Sequence, residues 1–156
     1  MNKNWARWIF ASVTKHFDDN KQGLATYVEG TYRDTRTEVD FFEVRQDGPY
    51  STEVSKDYWH FFIEVNILIQ STMSATDFHK IYRDVGIVMA AFTDIPVYRY
   101  GTGDDDDDTL LGCLQLVSDA QGKKPVKVSH FGQIEPRTDL LQATVEGHYF
   151  MFLKEA

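Results

Sequence analysis

The 156-residue chain has a single cysteine, Cys113. One thiol excludes an intramolecular disulfide framework and any CxxC metal knuckle. Basic residues are also in short supply, with 16 Lys and Arg against 24 acids and a net charge of -8. That balance excludes DNA binding through a basic face, which shows as clustered Lys and Arg and a high pI. No apolar run reaches the ~18 residues that a membrane-spanning helix needs. The opening residues, Met1 to Trp8, have neither a long apolar core nor a cleavage pattern. The expectation is therefore no signal peptide, no membrane partner and a cytoplasmic place of synthesis. Common catalytic signatures are missing too: there is no HExxH pair and no GxSxG elbow. Gly101-Thr102-Gly103 lacks the third glycine and following helix of a dinucleotide cradle, and the Asp residues after it would repel a phosphate.

What is present suits one folded domain spanning residues 1–156. Apolar residues make up 42% and charged residues 26%, which excludes a disordered chain. A chain of this length buries about 70% of its unfolded surface and needs no metal or disulfide to fold. Trp5, Trp8, Ile9, Ser12, Val13 and His16 recur at helical spacing, with Asn2 or Asn4 as N-cap and Asp18-Asp19-Asn20 as terminator. Strands are expected over Leu24–Tyr32 and Val39–Gln46, the second ending in a turn at Asp47-Gly48-Pro49. From Asp57 to Gln70 the period is two. Trp59, Phe61, Ile63, Val65, Ile67 and Ile69 share one face, and Tyr58, His60, Phe62, Glu64, Asn66, Leu68 and Gln70 the other. Fully extended, that segment reaches about 46 Å. Ser74 and Asp77 resemble a capping box for a helix whose apolar stripe is Phe78, Ile81, Tyr82, Val85, Val88, Met89 and Phe92. Strands over Val97–Tyr100, Leu110–Ser118, Val126–Ile134 and Leu140–Leu153 complete the pattern. The predicted fold class is α+β, a mixed, mostly antiparallel sheet with two flanking helices.

Several groups attract a chemical reading. Asp104, Asp105, Asp106, Asp107 and Asp108 form one acidic run, and without these five the net charge of -8 becomes -3. Read as an EF-hand loop from Asp104, the run fails. Thr109 stands where Gly is needed and Gln115 where Glu is needed. A solvated loop tip is the expected state of such a like-charge block. His60 and His148 lie on the polar faces of the two long strands and would approach each other if those strands paired. Partly exposed histidines are expected there rather than a metal site. Cys113, beside Leu111 and Leu114, is expected to be buried and inert. Glu43, Glu64 and Glu146 can face one another across a sheet, where carboxylates usually serve solvation or a subunit contact. The alternative is a small enzyme using carboxylates and a divalent ion. A third reading is a monomeric module whose aromatic sheet face holds a small ligand.

Aromatic residues make up 14% of the chain. Tyr58, Phe62, Phe150 and Phe152 give both long strands apolar groups on their second faces. Either each strand is covered by its own chain, with a helix on each side, or one face meets another subunit. Lys123, Lys124 and Lys127 cluster within five residues and could meet the acidic run of a neighbour, a head-to-tail contact that closes rings.

The order of elements resembles the tail terminator and tail-completion (neck) proteins of long-tailed bacteriophages. The likeness rests on the N-terminal amphipathic helix, the strand through Phe41-Phe42-Glu43-Val44, and the alternating strand Tyr58-Trp59-His60-Phe61-Phe62-Ile63-Glu64-Val65. It continues through the helix ending in Phe92-Thr93-Asp94-Ile95-Pro96, the Asp-rich loop and the closing Tyr- and Phe-rich strand. The resemblance implies a virion structural protein of the tail–neck region, assembled in the host cytoplasm, with no catalysis and no cofactor. It implies a homo-oligomer, a hexameric ring that caps the tail tube protein, stops its polymerisation and meets the head-completion or connector protein. DNA would pass through the lumen without specific binding. Other head–tail connector components and tail tube subunits share this texture. Candidate lumen acids are Glu43 and Glu64, and candidate interface residues are the Asp run, the three lysines and the four aromatics named above. Six copies would carry a formal charge of about -48 before counterion screening.

Overall fold

The computed structural model describes residues 4–22, 25–28, 41–51, 58–70, 75–100, 109–117, 126–133 and 140–152. The described residues form two helices and seven strands, with one helix before the first three strands and the other before the last four. They are α1 (Trp5–Asp19), β1 (Ala25–Val28), β2 (Phe41–Ser51), β3 (Tyr58–Gln70), α2 (Ala75–Ala91), β4 (Ile95–Arg99), β5 (Thr109–Leu116), β6 (Lys127–Gln133) and β7 (Leu140–Phe152). The sheet order is β1-β2-β3-β7-β5-β4, with β6 also on β7. Among the described strands only β1 and β2 pair in parallel. The fold is α+β with a mixed, mostly antiparallel sheet.

The two long strands pair with each other along their whole length, from Tyr58 opposite Phe152 to Gln70 opposite Leu140. A 13-residue strand is sustained because its neighbour is equally long and β-branched and aromatic residues fill it. β7 then carries two strands on its other side. β6 lies along its first half, from Gln133 opposite Leu141 to Lys127 opposite Glu146, and β5 meets its last part at Tyr149 and Phe150.

The period-two face of β3 is the core. Phe61, Ile63, Val65, Ile67 and Ile69 are buried, as are Leu141, Ala143, Val145, Tyr149 and Met151 of β7 and Phe42 and Val44 of β2. Both helices cover this one face. α1 buries Trp8, Ile9, Val13 and Phe17. α2 buries Ile81, Val85, Val88 and Ala91, and Phe92 follows at its end. Phe17 meets Phe92 at 5.2 Å between ring centroids, so the two helices join over the sheet. As to the two alternatives for the long strands, both described helices take the same side, and the opposite face of the sheet has no helix among the described residues.

Other expectations are also revised. The α2 stripe is narrower than its apolar spacing suggests, because Tyr82 and Met89 are 59% and 41% exposed. Asp84 takes a fully buried place beside the stripe, its Oδ1 3.1 Å from Arg83 Nη2 and its Oδ2 without a hydrogen-bond partner among the described residues. Asn4 occupies the N-cap of α1 without a side-chain cap hydrogen bond; its carbonyl accepts from Trp8 N–H. β2 does not stop at Asp47-Gly48-Pro49 but continues to Ser51 through a register shift between Asp47 and Tyr50. Gly48 adopts φ 113°, open to glycine, and Pro49 lies beyond the four residues of β2 that β1 covers, where the missing N–H breaks no ladder. β4 begins at Ile95, in the segment expected only to end α2. The Ser74 cap, the Leu24 and Tyr32 ends of the first predicted strand, and Asp104 to Asp108, Lys123 and Lys124 lie outside the described residues. The same holds for the side chain of Tyr58.

α1 also seals an edge. β4 ends the sheet, and its Tyr98 N–H donates to the buried Ser12 Oγ at 3.1 Å. The Tyr100 carbonyl accepts from Trp8 Nε1 at 3.1 Å and Arg7 Nη2 at 3.2 Å. Pro96 has no N–H to offer. The edge is thus closed to strand addition along these residues.

Candidate functional site

The helix-free face of β2, β3 and β7 collects the polar residues that alternate with the core. Register fixes them in rows across the strands. Glu43, Asn66 and Thr144 form one row, and Arg45, Glu64 and Glu146 the next, with Lys127 of β6 beside Glu146. Asp47, Phe62 and His148 follow, then His60 with Phe150, and finally Tyr58 opposite Phe152. The face therefore grades from polar and charged rows to aromatic ones.

The polar end is ordered by hydrogen bonds. Thr144 Oγ1 donates to Asn66 Oδ1 at 2.8 Å, and Asn66 Nδ2 donates to Glu64 Oε1 at 2.9 Å. Asn66 and Thr144 are buried, which such pairing makes tolerable. Glu43 is buried as well, and Arg45 Nη2 lies 3.4 Å from its carboxylate. The same guanidinium reaches Glu64 at 4.0 Å. Arg45 therefore holds together the two acids that sequence reasoning assigned to a lumen. The sequence did not single out Arg45. Its signal was the antiparallel offset that sets it opposite Glu64, and that offset needs the pairing of β2 with β3. Glu64 and Glu146 are directly opposed across β3 and β7, and Lys127 Nζ, 3.7 Å from Glu146, offsets that repulsion. Lys127 thus has a partner within its own chain.

The aromatic end is exposed. Phe62 is 41% and Phe152 49% exposed, and Phe150 is half-buried. Phe62 stacks edge-on against His148 at 4.3 Å, and His60 lies tilted over Phe150 at 6.3 Å. The two histidines each face a phenyl ring rather than one another. Among the described residues no three His, Cys, Asp or Glu side chains form a metal-holding group. Two shallow depressions mark the face, of about 440 Å³ and about 380 Å³, and Arg45, Glu64 and Glu146 line both.

Cys113 is exposed, which corrects its expected burial. It alternates with Leu114, which faces the core, so its own side chain faces out. Partial desolvation and then the charge of Asp94 push its thiol above the ordinary value, which keeps the thiolate scarce. Among the described residues no helix is long and apolar enough to cross a membrane.

No family model matches this chain, and no curated protein does. A solved structure aligns with 97% of this chain and 98% of its own length, at a TM-score of 0.54 and 12% identity. At that identity the likeness shows the fold alone.

Proposed function

We propose that the chain is a virion structural protein, a tail terminator that assembles as a ring on the end of a tail tube and joins it to the head connector. The observation that carries this reading is the helix-free sheet face, which exposes Phe62 and Phe152 beside a row of paired charges. Interfaces between subunits combine apolar anchors with a polar surround in this way. A catalytic centre would instead gather converging polar groups in an enclosed cleft. The resemblance in element order supplies the identity of the assembly. In that role the ring has six copies, needs no cofactor, and lets DNA pass without binding it. The acid excess of the chain suits such passage, since like charge repels the phosphates.

The test is electron microscopy of tail tubes grown from the tube subunit of the same phage, with and without this chain. The expected result is a ring of density on tube ends and an arrest of elongation. Tubes that elongate equally with the chain present, their ends bare, would overturn the reading.

A further inference from the structure

The geometry points to a head-to-tail contact in which the outer face of α2 in one copy seats on the helix-free sheet face of the next. We propose this as the subunit interface; the inference rests on the ring reading and adds the two surfaces that close it. A ring of more than two copies needs two different patches on each chain. The described residues expose six large apolar side chains, and four of them fall on two opposite sides of the molecule. Phe62 and Phe152 are on the sheet face, and Tyr82 and Met89 are on α2, which packs on the other side of the same sheet.

Gly86 shows that the helix side is shaped for an approach. It sits four residues after Tyr82 and three before Met89, on the same exposed stripe. A glycine in a helix interior weakens the helix relative to alanine. Among the described residues nothing requires it, because a Cβ added there meets no atom of theirs within 4 Å and no left-handed φ is involved. The dent it leaves between two apolar side chains lets a second surface come close to the helix backbone.

Charge identifies that surface as another copy of the chain. Among the described side chains, the exposed residues of α2 include His79 and Arg83 and no acid: Asp84 is buried against Arg83, and the side chain of Asp77 lies outside the described residues. The sheet face carries four acids, Glu43, Asp47, Glu64 and Glu146, against Arg45 and Lys127. A face whose described exposed side chains include no acid, in a chain of net charge -8, complements an acid-rich face of its neighbour. The dimensions agree. α2, at 17 residues, is about 25 Å long, and β3 and β7, at 13 residues each, extend about 43 Å.

Light scattering over a concentration series tests the contact with two variants of the whole chain. Gly86→Leu fills the dent on the helix side, and Phe62→Thr with Phe152→Thr removes the anchors on the sheet side. The wild type is expected to form a closed oligomer. Each variant is expected to be monomeric, with association weakened at least about tenfold. Gly86→Leu should melt no lower than the wild type, which separates lost assembly from lost folding. An equal mixture of the two variants should form a one-to-one dimer and nothing larger, because each copy keeps one working face. Wild-type-like assembly of Gly86→Leu, or a mixture that stays monomeric or regains the full oligomer, would overturn the contact. A wild type that is monomeric at every concentration would also overturn it. None of these results decides whether the chain caps tail tubes, which the microscopy decides separately.

Discussion

Gly147 marks a tight place in the core. It stands opposite Ile63 on the helix-covered face, and the Phe92 ring lies against its backbone. A Cβ there would fall 2.5 Å from Phe92 Cδ1 and 2.7 Å from Cε1. Gly147→Ala is therefore expected to destabilise the fold by about 1–3 kcal/mol, as overpacking does. Trimming the ring with Phe92→Leu in the same chain should recover part of that loss in urea melts. Two residues on, Tyr149 is fully buried and its hydroxyl donates to the Thr93 carbonyl at 3.0 Å. Burial first, then the charges of Asp94 and Cys113, hold its phenol well above the ordinary value of 10.0. The folded chain thus keeps a proton that the unfolded chain releases, and stability falls as pH rises beyond about 10. Absorbance titration of the eight tyrosines should show one ionising only as the protein unfolds, and Tyr149→Phe should flatten the alkaline loss of stability. Neither role was legible beforehand. The residues that make Gly147 and Tyr149 special are Phe92 and Thr93, more than fifty positions earlier, and spacing arguments reach only a few residues.

Elements were more legible than contacts. The alternation in β3 and β7 is unbroken over a dozen residues, and only a two-faced strand satisfies it. The α2 stripe was located correctly but read too wide. Counting apolar residues at helical spacing could not tell Ile81, which faces the sheet, from Tyr82, which does not. At β2, Gly48 and Pro49 carried a turn signal that the neighbouring β3 overrode by pairing again from Tyr50. Ser12 likewise looked like one more member of the α1 stripe, yet it accepts a hydrogen bond from the last strand of the sheet. Ser12→Ala leaves the Tyr98 N–H without that acceptor and should cost about 1–2 kcal/mol, the desolvation penalty of an unpaired donor. Hydrogen exchange at Tyr98 should accelerate in the variant by more than at Ile63, in the middle of β3.

For the whole molecule, the fold class and element order followed from the sequence because they depend on local periodicity. The candidate site followed only in part. Glu43 and Glu64 do come close, but through Arg45, and His60 and His148 share a face without meeting. The one-sided helix cover among the described residues is a property of the assembled sheet and leaves no trace in any single segment. It gives the molecule two unlike surfaces, which the ring reading and the proposed contact both use. The placement of β7 has a further result. This strand comes after all the others in the chain, yet β3, β5 and β6 all pair with it. A nascent polypeptide that has not yet released β7 from the ribosome keeps three strand borders unmatched, a state in which neighbouring polysomal chains can pair wrongly. Native pairing of β3, β5 and β6 accordingly waits for the emergence of β7, and slow translation through that strand would prolong the window for aggregation.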